Sequence, residues 1–327
     1  MKILRVFTSL ILVFCFVFTL FIGRQKIAEQ KEFKLPNEYK GIITLWHVDG
    51  FEGGKGSRKQ FLLKIARDFE KKNAGVLVMV INHTFTSVKE NIDKGVYPDL
   101  ISFSNGVEIK QLESINTKRS VASAKIGDKI YATAWCRGGY ALIKNPNAKE
   151  QEKSALIVSQ AEFTEPITAM LLEGLEFDEI NVYKPMDAYV KFTENKNAYF
   201  LGTQRDIVRL ANRGMQVEIS PLNAFNDLYQ YVALTSRDAN KKAYAKRFID
   251  YLVSDSVQKQ LDKISMFSPY IKVNYDDENL SKMQQNNKFL SISAYLHKEQ
   301  LKQLQEISIL AVKGNQNSIN KIKNMLI

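Results

Sequence analysis

The chain has 327 residues, 45% hydrophobic and 25% charged, a balance that excludes a disordered or low-complexity polypeptide, and its length predicts two lobes rather than one core. The net charge of +11 sits at the ends, with +4 in residues 1–40, +5 in residues 280–327 and only +2 between them. A nucleic-acid protein gathers basic residues in its working domain among aromatics, so this distribution argues against nucleic acid as a partner. It fits a lysine-rich surface, with attraction to an anionic membrane as the second reading.

Lys2 and Arg5 precede an uncharged run from Val6 to Gly23, VFTSLILVFCFVFTLFIG, which Arg24 closes. At helical rise these residues reach about 27 Å, close to a hydrocarbon core and longer than most signal-peptide centres. Residues 1–23 therefore read as an export signal retained as a membrane anchor, since no small-x-small cleavage site follows. A cleaved segment would leave a secreted protein. The body is expected outside the cytoplasm. Residues 24–40, polar and containing Pro36, read as a tether. Of two cysteines, Cys15 lies within the apolar run, so Cys136 has no intrachain disulfide partner.

The body opens with a predicted strand, Gly41 to His47, and a glycine-rich turn, Gly50 to Gly56. A helix follows, with Ser57 as N-cap and Phe61, Leu62, Ile65, Ala66 and Phe69 on one face. Val76 to Asn82 is a second strand, Val88 to Lys94 a short helix, and Asp99 to Phe103 a third strand. This βαβαβ order implies a parallel sheet covered on both faces. Lys129 to Lys144 is strand-like but broken at Gly138 and Gly139, as a segment crossing between lobes would be. A smaller α/β unit follows: a helix capped by Thr164 with Pro166 in its first turn, a helix at 186–194, strand 198–201, helix 204–213 and strand 216–221. Strand 229–236 returns, and helices are expected at 240–253, 256–264, 291–310 and 318–327.

The turn Gly50, Gly53, Gly54, Lys55, Gly56, Ser57 is not a phosphate loop, because three residues rather than four separate Gly50 from Gly54 and Gly56 splits Lys55 from Ser57. A glycine loop opening a helix still exposes backbone N–H groups that can hold a ligand oxygen, or it is a plain structural turn. His47, His83 and His297 have no metal-ligand spacing, no GxSxG elbow occurs, and neither a cofactor nor catalytic chemistry is expected.

Open α/β sheets bind ligands beyond the carboxyl ends of their strands. That rule places Trp46, Asp49, Phe51 and the cap Ser57 after the first strand, and Ser104 and Asn105 after the third. Trp135 and Tyr140 fall in the crossing segment, Gln204 and Arg205 open a second-lobe helix, and Phe225, Asn226 and Tyr229 lie at the return crossing. Stacking faces mixed with hydrogen-bonding groups suit a polar organic ligand, and each aromatic is equally a candidate for the core.

Several segments, in this order, resemble the maltose-binding-like group of extracellular solute-binding proteins of ABC transporters. They are ITLWH before a helix ending FEKKN, then VLVMVIN, GVYPDLISF, GDKIYATAW with YALIKN, NKNAYFLGTQRD, and NKKAYAKRFIDYLVSDSVQKQL. The resemblance covers most of residues 41–275. It implies a two-lobe periplasmic-binding-protein-like α/β fold with a hinge and an interlobe cleft, closing on a solute and presenting it to ABC permease subunits. By it, lobe 1 is 41–134 and 229–327, and lobe 2 with the crossings is 135–228. Asn105, Trp135, Tyr140, Gln204, Arg205, Phe225 and Asn226 match its ligand-facing positions. Sugars or oligosaccharides lead as ligands; a polyamine would want cleft carboxylates, an oxyanion arginines, and the candidates include both signs. The second lobe is short for the group, Ala134 stands where proline is common, and Phe14 before Cys15 does not fit a lipoprotein site. The alternative is a membrane-anchored sensor or assembly component using the same fold without transport.

Overall fold

Eight residues with β-branched or aromatic side chains at most positions, GIITLWHV, make the strand on which the first sheet is built. The computed structural model describes residues 39–148, 155–194, 198–284 and 289–327, so the anchor lies outside the described residues. Among the described residues, no helix is long and apolar enough to cross a membrane. The body is one compact unit from Lys40 to Ile327.

In chain order the elements are β1 (Gly41–Val48), α1 (Arg58–Glu70), β2 (Val76–His83), α2 (Phe85–Asp93), β3 (Leu100–Phe103), the two-residue strands β4 (Lys125–Ile126) and β5 (Lys129–Ile130), β6 (Ala132–Arg137) and β7 (Tyr140–Lys144). There follow β8 (Ala155–Ser159), α3 (Pro166–Leu172), β9 (Glu179–Tyr183), α4 (Pro185–Thr193), β10 (Tyr199–Thr203), α5 (Gln204–Asn212), β11 (Glu218–Pro221) and β12 (Tyr229–Leu234). The chain ends with α6 (Ala239–Leu252), α7 (Asp255–Gln258), α8 (Glu278–Met283), α9 (Lys298–Val312) and α10 (Gln316–Asn324).

Two five-stranded sheets result, ordered β2-β1-β3-β12-β6 and β11-β7-β10-β8-β9. In the first, β1 pairs in parallel with β2 and β3, while β12 runs antiparallel to β3 and β6. Its layers follow from periodicity. Ser57 caps α1 by accepting from Gln60 N at 3.4 Å, and Phe61, Leu62, Ile65, Ala66 and Phe69 are buried. Phe69 meets Phe248 of α6 edge-on at 5.3 Å. On the other face Val88 and Ile92 of α2 join Trp46, Ile101, Phe103 and Tyr231 in one core. The second sheet buries Ile143, Ile157 and Phe200 against Ala188, Phe192, Ile207 and Leu210 of α4 and α5.

The sheets are the bases of two lobes joined by three crossings: Gly138 and Gly139 between β6 and β7, residues 222–228 between β11 and β12, and the stretch from Ile264 to α8. Arg137 and Phe267 exchange backbone hydrogen bonds of 2.9 Å where the first and third crossings meet.

The structure departs from the sequence reading at several points. Trp135 to Arg137 belong to the first sheet, so the crossing starts at Gly138 rather than at 135. The tail from 278 does not stay with lobe 1: α8 packs against α5 and β11, and α9 against α3. Before α9, Ala294 N donates to Ser123 O at 2.8 Å on lobe 1; within it, the Ser308 and Thr168 hydroxyls meet at 2.8 Å on lobe 2. Thr84 and Ser87 form a capping box, which starts α2 at Phe85 instead of Val88. Glu165, not Thr164, precedes α3; the Thr164 hydroxyl donates instead to Ala161 O. Strands β8 and β9 were not foreseen, and α9 begins at Lys298 rather than 291.

Candidate functional site: the seam between the lobes

The carboxyl ends of β1 and β3 face the start of α5 and the crossings. Here the two lobes touch directly through polar groups. Glu52 accepts from both guanidinium nitrogens of Arg209, at 2.9 and 2.8 Å. Arg205 donates to Gly54 O. The Gln204 amide accepts from Gly139 N at 3.0 Å and reaches Glu52 O at 3.4 Å. Phe163, in the left-handed region at φ 60°, sets its ring 5.1 Å from Phe85 of lobe 1. Gly106 makes room for that ring, since a Cβ there would lie 2.3 Å from it.

The glycine turn is a docking element. Lys55 N donates to Ile264 O at 2.8 Å, Gly54 N to Met266 Sδ at 3.2 Å, and a Cβ on Gly54 would lie 2.2 Å from Ser265 O. The N–H groups read from sequence as free for a ligand oxygen are thus used at these two positions by the third crossing.

Beneath the turn lies a polar cluster that is buried except at Asp49. Trp135 Nε1 and Gln230 Nε2 donate to Ser102 Oγ at 3.0 and 3.1 Å, filling its acceptor directions, so Ser102 donates its proton to His47 Nδ1 at 3.1 Å. His47 Nε2 then carries the hydrogen that Asp49 accepts at 3.0 Å. Burial holds the His47 pKa below its ordinary value, which keeps the ring neutral. Burial acts to raise the Asp49 pKa, but the hydrogen bond from His47 and the nearby Arg58 guanidinium outweigh it and leave the carboxyl low. Ser102, His47 and Asp49 are the residue types of a hydrolytic triad, yet Ser102 is wholly buried and out of reach of a substrate.

At the base of the crossings Asp227 accepts from Tyr140 OH at 2.7 Å and from Glu165 N at 2.9 Å. Asn105 Nδ2 donates to Asp227 O at 3.1 Å. Asn226 ties the first and second crossings together, donating to Gly138 O and accepting from Leu228 N, both at 3.1 Å. Beside this cluster a small cavity of about 10 Å³, roughly the space of one water, is lined by Phe51, Glu52, Tyr140, Ser159, Thr164 and Leu228. A larger groove of about 950 Å³ lies elsewhere, bounded by Met170, Leu171, Phe177, Ala311 and Ile319 between α3 and the tail helices. Among the described residues, no group of His, Cys, Asp and Glu could hold a metal.

The candidates divide accordingly. Phe51, Asn105, Tyr140, Gln204, Arg205 and Asn226 meet at the seam. Trp46, 4.5 Å from His83, and Tyr229, 5.8 Å from Tyr231, lie in the lobe 1 core. Trp135 is fully buried and stacks on Phe61 at 5.8 Å; Phe225 is fully buried and bridges to Leu290. Ser57 is an exposed cap, and Asp49 is occupied by Arg58 Nε at 2.8 Å. Sequence reasoning missed Phe163, Glu165, Arg209 and Asp227. Asp227 was within reach, being next to Asn226 in the return loop; the others are legible only once the lobes meet.

No protein-family model matches the chain, and no curated protein matches it in sequence. Solved structures do match its shape. The GacH receptor of Streptomyces glaucescens, determined unliganded and with acarbose and an acarbose homolog, aligns with a TM-score of 0.54 and 14% identity, covering 87% of this chain and 94% of that one. The sugar-binding protein MalE of Xanthomonas citri aligns with a TM-score of 0.59 and 12% identity, covering 87% and 95%. The chain has the two-lobe fold of maltose-binding-like solute-binding proteins.

Proposed function

We propose that this protein is a solute-binding protein which captures a polar small molecule, a sugar or oligosaccharide first among them, between its lobes and hands it to the permease subunits of an ABC importer. The observation that carries the reading is the seam: three crossings beneath a set of direct lobe-to-lobe polar contacts, with Ser104 Oγ and Asn105 Oδ1 buried there without a hydrogen-bond partner. Such groups cost stability until something pairs with them, and a hydroxyl-rich solute brings both donors and acceptors. The sugar-binding protein and the acarbose receptor that share the fold support the ligand class. The reading assigns no covalent chemistry and no cofactor to the protein. Residues 1–23 tether it outside the cytoplasm, on the strength of their apolar run alone.

A second reading, an anchored sensor or assembly component, draws on the directness of the seam contacts, since the bidentate Glu52–Arg209 pair can hold the lobes together without a solute. A thermal-shift screen of the full chain against sugars, oligosaccharides, polyamines, amino acids and oxyanions separates the two. A solute at about 100 times its dissociation constant adds about 2.7 kcal/mol of stability. One chemical class of hits is the expected result; a folded protein that responds to none favours the sensor or assembly role.

A further inference from the structure

The charges at the seam are not evenly matched. Asp49 has Arg58, and Glu52 has Arg209. Asp206 lies 3.6 Å from Arg209 and accepts from Thr203 N at 2.9 Å. The arginines are likewise committed: Arg58 donates also to Phe51 O, Arg205 to Gly54 O, and Arg137 to Gly138 O at 3.2 Å beneath the rings of Phe267 and Phe289. An anionic solute would have to displace one of these partners.

Asp227 and Glu165 are different. Both are buried, at 2% and 1% exposure, and among the described residues neither has an ion pair or hydrogen bond with Lys, Arg or His. The groups facing Asp227 are Tyr140, Tyr229, Tyr231 and Glu165; those acting on the Glu165 carboxyl are Asp227, Tyr140, Thr168 and Gln305. All of these are neutral or acidic. Glu165 Oε1 is buried without a partner, and so is Asn105 Oδ1, whose amide nitrogen is bonded to the Asp227 carbonyl. Acceptors therefore collect behind Tyr140 and Thr164, which line the small cavity, and the cation that would match them is missing from the protein's own side chains. An ammonium group is all donors and no acceptor, and it supplies the charge that a buried carboxylate needs. Burial pushes the Asp227 pKa up to about 7 and that of Glu165 well above its ordinary value, so in the absence of a cation protons fill the role.

We propose that the solute taken at the seam carries a protonated amine, which the carboxylates of Asp227 and Glu165 and the Asn105 carbonyl oxygen hold at the base of the crossings. This rests on the solute-capture reading and narrows it from polar solutes in general to amino sugars and polyamines.

The test is calorimetric titration of the full chain with four probes: cellobiose, the β-1,4-linked glucosamine dimer, its N,N′-diacetylated form, and spermidine. A free-amine probe is expected to bind about tenfold or more tightly than the neutral sugars at pH 7.5. Asp227→Asn and Glu165→Gln are expected to erase that preference. At pH 6 amine binding should release protons, seen as heats that change with the ionisation enthalpy of the buffer. Neutral sugars binding as tightly as the amines, or a preference that survives both substitutions, overturns the inference while leaving solute capture in place. Failure of folded wild-type protein to bind any of these probes or any solute in the wider screen overturns both. The wild-type comparison needs no variant, so it stands even if a substituted chain does not fold.

Discussion

Replacing Trp135 with alanine is expected to lower the folding stability of the free protein by about 3–5 kcal/mol, the loss typical of a large aromatic removed from a packed core. The side chain is fully buried, lies nearly parallel to Phe61 with 7° between the rings, and donates to Ser102 Oγ. Its backbone oxygen accepts from Gln258 Nε2 at 2.9 Å, so the residue pins α7 as well. The substitution leaves a cavity and an acceptor without its donor, each costly by itself. Urea unfolding of both proteins measures the difference. A stacking role towards solute would instead reduce affinity and leave the midpoint of the free protein in place.

The second large effect is in the pH dependence of stability. Burial raises the pKa of both Asp206 and Asp227 from 3.8 to about 7. In the unfolded chain these carboxyls release their protons near pH 4, whereas the folded protein keeps them until about pH 7. Between those values the folded state binds more protons, so the stability these groups contribute is full below about pH 4 and is lost as pH rises to about 7. His47 and His83 work in the opposite direction, because their pKa values, lowered by burial, mean that stability is gained as pH rises towards 6.5. Asp206 and Asp227, joined by Glu165, whose pKa burial also raises, outweigh the two imidazoles, of which His83 is only partly buried, and the melting temperature is expected to fall between pH 5 and pH 7.5. Asp227→Asn and Asp206→Asn should each flatten the profile, and both keep a side-chain oxygen for the backbone N–H groups that the carboxylates accept. Melting curves at matched ionic strength check this; a wild-type profile that rises across the range contradicts the assignment of buried, protonated carboxyls. An amine bound at Asp227 would remove much of the slope, which links this measurement to the proposed ligand class.

What could be read from the sequence was mostly local. Ser57 before an apolar face at helical spacing gives α1, and the break at Gly138 and Gly139 gives the first crossing, because caps and glycines act on their immediate neighbours. Strand β8 was obscured by the charged run before it, and β9, at the sheet edge, has no buried position to mark it as part of a core. The seam was out of reach for another reason. Glu52 and Arg209 are 157 positions apart, and Asp227 and the Glu165 backbone 62 apart, so their pairing depends on how the lobes close and leaves no mark in spacing. Aromatic identity misled at Trp135 and Phe225: a ring that can stack on a sugar is the same ring that fills a core, and only burial distinguishes them.

The central claim is that the lobes close on a solute, and the distance between them tests it most directly. Arg67 on α1 and Lys191 on α4 are exposed, one on each lobe, and suit spin labels on introduced cysteines. Cys15 would be replaced by serine, while Cys136 is fully buried with its thiol pKa raised by that burial, so it will not take label. The account predicts that a solute from the screen draws the label distances into one short population. Arg209→Ala, which removes the bidentate pair with Glu52, should move the solute-free protein towards longer distances. A single distance that neither the solute nor Arg209→Ala shifts would contradict capture by closure.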